Sequence, residues 1–270
     1  MKQFVIIFNL FIAFSFAANA ARIDSISIES KSMKTGVKAL VIIPDVALTA
    51  QSCPVIYLLH GYSGNEKQWI GIKPNLPQIA DKEGIIFVCP DGKNSWYLDS
   101  PLDTTSQYET FISYEMIEYI DSHYKTLADR KHRAITGLSM GGHGAMFNAF
   151  RHKDVFGAAG SMSGAIDIRQ RDNNYGLVHL LGDISKNRQN WEANSVLNQL
   201  NSLSSGDLAI CFDCGINDFC FKYNEDLNDA LVKKNIAHDY TVRPGEHNAA
   251  YWKNAIDYQI LFFSKFFQKH

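Results

Sequence analysis

Thirteen residues constrain this chain more than any others: Ala134-Ile-Thr-Gly-Leu-Ser-Met-Gly-Gly-His-Gly-Ala-Met146. Inside them, Gly137-Leu138-Ser139-Met140-Gly141 fits the pattern Gly-x-Ser-x-Gly. Arg133 to Thr136 reads as a short strand and Gly141 to Arg151 as a helix, which puts Ser139 on a strand-to-helix turn. Small residues on either side let the backbone fold back tightly there. Strain in such a turn holds the serine hydroxyl out above the sheet. The helix that follows aims its unpaired N–H groups at any negative charge that develops nearby. A glycine-rich turn with an incidental serine is the competing reading of the pentapeptide. Gly142, Gly144 and the strand and helix flanks favour a nucleophile.

Composition sets the frame around this turn. The chain has 270 residues, 46% of them hydrophobic and 20% charged, which suits one large α/β domain. A net charge of −2 supplies no basic surface for nucleic acid. The first twenty residues differ from the rest: Met1-Lys2 is a positive start, Phe4 to Phe16 is apolar apart from Asn9 and Ser15, and Ala18-Asn19-Ala20 offers small residues at a cleavage spacing. This is the pattern of a secretory signal peptide cut after Ala20. The apolar run is too short for a span of ~20 residues, so a stable membrane anchor is not expected. The reading is therefore an exported protein, periplasmic or extracellular, with residues 21–270 as a single domain.

Among the five cysteines, Cys53 and Cys89 lie in apolar strand-like runs and read as buried thiols. Cys211 and Cys214 are spaced like a redox pair, but three residues of extended chain separate them by ~10 Å, beyond bridging distance. With no second Cys/His pair nearby, a zinc site is not indicated. Free thiols are the default, and a Cys214–Cys220 bridge is the alternative. No cofactor and no metal are called for.

There is no internal repeat and no low-complexity tract. Ile23 to Ser30 alternates apolar and polar residues like an edge strand, and Val37 to Ile43 reads as a second strand stopped by Pro44. Strands are then expected at Pro54 to Leu59, Ile85 to Cys89, Arg133 to Thr136, Phe156 to Met162, Leu208 to Phe212 and Asp239 to Val242. Helices are expected at Leu76 to Lys82, Gln107 to Tyr124, Gly141 to Arg151, Glu225 to Lys234 and Ala249 to Phe267. Residues 165–205 are polar, rich in asparagine and without a strong period, and read as an insertion over the sheet edge. Alternating strands and helices predict a mostly parallel sheet covered on both faces. Sites in such sheets lie beyond the C-terminal strand ends, which directs attention to residues 60–64, 91–97, 138–141, 213–220 and 243–248.

A serine hydroxyl needs a base to take its proton, and a carboxylate to fix the tautomer of that base. His247 follows the strand at 239–242 in a loop opened by Pro244-Gly245 and is the candidate base. His238 lies at the wrong end of the same strand, and His270 is terminal. Asp218 and Asp213 both follow the strand at 208–212; Asp218, on the loop proper, is preferred. The oxyanion of a tetrahedral intermediate would be met by the N–H of Met140 and that of Tyr62. His60 and His143 read as loop-orienting residues.

Six ordered segments together resemble the esterase D, or S-formylglutathione hydrolase-like, family of α/β-hydrolases. They are Tyr57-Leu-Leu-His-Gly-Tyr-Ser-Gly64, Pro90-Asp-Gly-Lys-Asn-Ser-Trp-Tyr97, Tyr108-Glu-Thr-Phe111, Gly137-Leu-Ser-Met-Gly-Gly-His-Gly-Ala145, Cys214-Gly-Ile-Asn-Asp-Phe219 and Pro244-Gly-Glu-His247. The resemblance implies an α/β-hydrolase fold, Ser139, Asp218 and His247 as a triad, and Tyr62 and Met140 as oxyanion donors. Formylglutathione hydrolases carry a Leu-Thr/Ser-Cys type sequence after the oxyanion glycine, where this chain has Tyr62-Ser63-Gly64, and they act in the cytoplasm. An exported relative resembles enzymes that remove acetyl or feruloyl groups from plant polysaccharide. Trp69, Trp96, Tyr97 and Trp252 fall in or near the site loops, where an aromatic face can stack on a sugar or cinnamoyl ring. The expected activity is that of a secreted serine carboxylesterase acting on short-chain or aromatic acyl esters. An acyltransferase with the same triad, a tributyrin-type esterase and a glycan-binding module that has lost catalysis are the alternatives.

Overall fold

Four largely apolar runs, Val55–Leu59, Ile86–Pro90, Arg133–Gly137 and Ala158–Met162, are buried at every position. A strand buried on both faces has no polar side to show, so its sequence loses the alternation of a half-exposed strand. The computed structural model describes residues 21–49, 51–170 and 175–270. The expected signal peptide lies outside the described residues.

Eight strands form one sheet: β1 (Arg22–Ser30), β2 (Thr35–Ile43), β3 (Val55–Leu59), β4 (Ile86–Pro90), β5 (Arg133–Gly137), β6 (Ala158–Met162), β7 (Ala209–Gly215) and β8 (Asp239–Arg243). Their order is β1-β2-β4-β3-β5-β6-β7-β8. The β1–β2 and β2–β4 pairs are antiparallel, and every pair from β4 to β8 is parallel. The alternating segment at the start of the chain is an edge strand, as its pattern predicts.

The helices follow in chain order. Short α1 (Asp45–Thr49) and α2 (Gln68–Ile72) precede α3 (Leu76–Glu83). The expected helix over 107–124 starts as α4 (Tyr108–Thr110), passes through a π-helical turn at Phe111–Glu115 and continues as α5 (Met116–His123). Next come α6 (Met140–Arg151), α7 (Leu177–Leu181), α8 (Ile184–Asn194), α9 (Val196–Gln199), α10 (Phe221–Lys233) and α11 (Ala249–Phe267). Alternate residues of β3 feed two cores. Val55, Tyr57 and Leu59 pack with α5, α6 and α10, whereas Ile56 and Leu58 pack with α3 and α11. Both faces of the sheet are therefore covered, and the arrangement is the α/β-hydrolase fold.

Residues 165–205 depart from the sequence reading. They join the interior strand β6 to β7, and within them α9 and the turn at 200–202 lie against α6, not over a sheet edge. Leu177, Leu181, Trp191, Val196 and Leu200 enter the same core as α6. No helical period announces α7 to α9: α7 and α9 have only five and four residues, and α8 is broken by a kink at Asn187 and buries Trp191 rather than an amphipathic stripe.

Candidate active site

Ser139 stands between β5 and α6 with φ +54° and ψ −117°, outside the regions open to most L-residues. Holding one residue there costs about 1–3 kcal/mol. Surrounding hydrogen bonds enforce the turn: the Ser139 N–H donates to the Met162 carbonyl at 3.0 Å, and the Ser139 carbonyl accepts from His143 at 3.1 Å and Ala165 at 3.2 Å. Two glycines let the chain double back. A Cβ on Gly137 would meet the Gly141 carbonyl oxygen at 2.5 Å, and one on Gly141 would run into the carbonyl oxygens of Leu59 and His60. These obstacles are backbone and cannot rotate away. Gly141→Ala is therefore expected to destabilise the fold by about 3 kcal/mol, the upper end for overpacking. It should also misplace Ser139. Urea denaturation with parallel esterase assays measures both effects.

Three distant segments meet at this turn. His247, in the loop between β8 and α11, places Nε2 2.8 Å from Ser139 Oγ. Its Nδ1 lies 2.9 Å from each carboxylate oxygen of Asp218. An ionised carboxylate only accepts, so Nδ1 carries the proton and Nε2 presents its lone pair to the serine hydroxyl. Burial alone would raise the Asp218 carboxyl. Hydrogen bonds from His247 and from the Cys220 N–H outweigh that and hold it below the usual carboxylate range. The Cys220 sulfur, an Asp218 oxygen and a His247 ring nitrogen lie within 4.8 Å of one another, but the oxygens and the nitrogen are already bonded to each other. All five thiols are free and buried, so Cys214 and Cys220 form no bridge.

Met140 is the first residue of α6, and Tyr62 sits in the loop after β3. Among the described residues, no acceptor takes up either N–H. The neighbouring Gly61 N–H, by contrast, is taken by Gln68 Oε1 at 2.8 Å. His60 and His143 are both buried. His60 Nε2 accepts from the Gly92 N–H at 2.8 Å, and Nδ1 donates to the Gly61 carbonyl at 2.7 Å. His143 Nε2 donates to the Asn194 carbonyl, and burial pushes its imidazole down to about 4, so it stays neutral at pH 7. Both rings orient loops.

A cavity of ≈ 210 Å³ opens on Ser139 and His247. Tyr62, Trp96, Tyr175, Phe219 and Trp252 give it aromatic walls, and Leu138, Met140 and Ala165 complete its apolar lining. Phe219 leans over His247 at 4.1 Å between ring centroids, and Trp252 meets the same ring edge-on at 5.0 Å. Of the four aromatics singled out in the sequence, Trp96 and Trp252 line this cavity and the other two do not. Trp69 is fully buried in the core with Nε1 donating to the Leu59 carbonyl, and Tyr97 is fully buried with its hydroxyl donating to the His60 carbonyl. Each brings a hydrogen-bonding atom to a buried carbonyl, which is why a tryptophan and a tyrosine serve beneath the loops. The sequence reading misses Tyr175 and Phe219 as wall residues. Phe219 directly follows Asp218, and that adjacency is the one cue the sequence offers. The Trp96 indole donates to the Tyr175 carbonyl at 2.9 Å, tying the β6–β7 connection to the loop after β4.

A family model described as "Putative esterase" matches residues 30–263. An acetyl esterase of Caldicellulosiruptor saccharolyticus is 26% identical, over 90% of this chain and 98% of its own length. The structure of a ferulic acid esterase superposes with a TM-score of 0.79 at 28% identity, covering 92% of this chain and 99% of that one. FphF, a fluorophosphonate-binding serine hydrolase of Staphylococcus aureus, shares the fold with a TM-score of 0.82 at 21% identity, covering 91% and 99%.

Proposed function

The chain belongs to the esterase family, and we propose that it is an exported serine carboxylesterase that removes short or aromatic acyl groups from plant polysaccharide. The observation that carries the reading is the 2.8 Å contact between His247 Nε2 and Ser139 Oγ, backed by Asp218 on the far side of the imidazole. Ser139 Oγ attacks the ester carbonyl while His247 Nε2 takes its proton. The carbonyl oxygen becomes an oxyanion between the N–H groups of Tyr62 and Met140. Collapse of the intermediate expels the alcohol, which leaves with the proton held by His247. A water, deprotonated by the same nitrogen, then attacks the acyl-serine. The second collapse frees the acid and returns the proton to Oγ. Asp218 stays ionised throughout and stabilises the imidazolium.

The apolar walls and the volume of the cavity favour acetyl, butyryl or single-ring cinnamoyl groups over long acyl chains. The acetyl esterase and ferulic acid esterase likenesses point the same way. Export rests on the signal-peptide pattern. It is supported by the backbone nitrogen of Ala21, which lies 2.7 Å from Asp81 Oδ2. Cleavage after Ala20 would turn that nitrogen into an ammonium facing a carboxylate, a stronger, charge-assisted bond.

Two measurements test the proposal. The enzyme should hydrolyse p-nitrophenyl acetate, p-nitrophenyl butyrate and methyl ferulate, and should discriminate against p-nitrophenyl palmitate at least about 10-fold, since a chain that cannot enter the cavity forfeits its burial energy. It should release acetate or ferulate from acetylated or feruloylated xylan, and the exported protein should have the mass of residues 21–270. Preference for the palmitate ester, or no release from xylan, would overturn the substrate assignment.

A further inference from the structure

Asp213 is the second carboxylate of the β7 segment and takes no part in the chemistry above. It lies inside β7, not beyond it, because the strand runs on to Gly215. Its neighbours Phe212 and Cys214 pack with α10, and Cys211 packs with α11. The alternation of a strand therefore turns Asp213 toward α11 and away from the cavity at Ser139. The residue is 2% exposed, and three side chains converge on it. The Tyr251 hydroxyl donates to Oδ1 at 2.9 Å, Gln259 Nε2 donates to Oδ2 at 2.8 Å, and an Arg243 guanidinium nitrogen stands 3.6 Å from Oδ1.

The positions of those partners are informative. Arg243 is the last residue of β8, and Tyr251 lies in the first turn of α11. Between them runs the segment that carries His247. One buried carboxylate thus grips both the entry and the exit of the loop. The loop is held to the Asp218 loop as well, since Ile216 donates to the Arg243 carbonyl at 2.9 Å and Asn217 to the Gly245 carbonyl at 3.0 Å. Tyr251 also packs under Gly245, where a Cβ would run into its ring. Gln259 extends the connection inward. Its Nε2 reaches the Ser161 carbonyl of β6 at 2.9 Å, and its Oε1 accepts from the hydroxyl of Thr136 on β5. Only Gly137 and Leu138 separate Thr136 from Ser139. The strands that lead to Ser139 and Asp218 and the helix that follows His247 therefore share one buried polar network.

We propose that Asp213 is a positioning residue for His247, fixing the loop at 244–248 from beneath through Arg243 and Tyr251. The inference rests on the triad reading above and adds a second carboxylate with a different task. Burial pushes the Asp213 carboxyl up to about 6, against the pull of Gln259, Arg243 and Tyr251. The groups that face it are Arg243 from β8, Tyr251 and Gln259 from α11 and the Cys211 thiol on its own strand. Protonation there loosens the grip on Arg243, so Asp213 should contribute to the loss of activity on acidification.

Asp213→Asn tests this, with Ser139→Ala assayed beside it. An amide cannot form an ion pair with Arg243, nor accept from both Tyr251 and Gln259. The variant should lose about 10- to 100-fold in kcat with KM little changed, the scale on which small misplacements of a catalytic group act. The acid limb of its pH–rate profile should lose the contribution of Asp213 and so differ from that of the parent enzyme. Tyr251→Phe, which removes one hydroxyl, should show a smaller kcat loss in the same direction and covers the case in which Asp213→Asn does not fold. Parental kcat and an unchanged acid limb in Asp213→Asn, or parental kcat in Tyr251→Phe, would overturn the proposal while leaving the triad intact. Activity surviving in Ser139→Ala would instead overturn the triad reading itself.

Discussion

Ser139→Ala is expected to lower kcat/KM for p-nitrophenyl acetate by about 10⁴- to 10⁶-fold, the range seen when a triad nucleophile is removed. The loss should fall on kcat, because the apolar walls proposed to take the acyl group do not involve the hydroxyl. Residual hydrolysis should come from the N–H groups of Tyr62 and Met140, which the substitution leaves in place. Stability should hardly move. The exchange deletes one side-chain hydrogen bond at a partly exposed position, and alanine meets the same backbone strain at φ +54° that serine does. Circular dichroism and a thermal melt establish that the variant folds, and a fluorophosphonate probe should label the parent and not the variant. A folded variant with parental turnover would remove Ser139 from the reaction, and with it the role assigned to His247.

Much of this architecture is legible in the sequence. The alternation at 23–30, the unbroken apolar runs of the central strands and the glycine-rich turn after β5 are local signals, and each maps onto one element. The three side chains that meet at the turn can be placed because loops after parallel strands converge on one rim of the sheet. What the sequence hides depends on tertiary burial. Helices α7 to α9 carry no period of their own. Trp69 and Tyr97 look like site aromatics by position, yet they point into the core because each has a buried carbonyl to bond. The sequence pattern ends β7 at Phe212, three residues before its true end at Gly215, since Asp213 and Cys214 do not look like strand residues until their partners are known. That displacement matters for function. It turns Asp213 from a loop acid into a strand residue facing α11.

Asp218→Asn should therefore cost far more activity than Asp213→Asn, about 10⁴-fold in kcat, as expected when a triad carboxylate becomes an amide. The reason is the proton on His247. Asp218 accepts from Nδ1 with both oxygens, which leaves Nε2 free to act as base. An amide can turn its NH₂ toward Nδ1, stabilise the opposite tautomer and leave Nε2 protonated and useless to Ser139. The two variants should also differ in stability, with opposite signs. The folded-state pKa of Asp218 lies below its unfolded value, so its contribution is present above the unfolded pKa and is lost as pH falls through the folded one. Asp218→Asn should accordingly melt lower than the parent at pH 7, and the gap should narrow in strong acid. The folded-state pKa of Asp213 lies above its unfolded value, at about 6, so the native state favours its protonated form. The stability it contributes is present below the unfolded pKa and is lost as pH rises through about 6. At pH 7 its ionised form is a burden on the fold, and Asp213→Asn should melt close to the parent or above it while turning over more slowly. Retaining a buried charge that does not stabilise the protein makes sense if it holds a catalytic loop in place, a trade of stability for activity. Thermal melts of both variants at pH 4 and pH 7, read beside their kcat values, separate the two carboxylates. The same sign of pH dependence in both would show that they share one role.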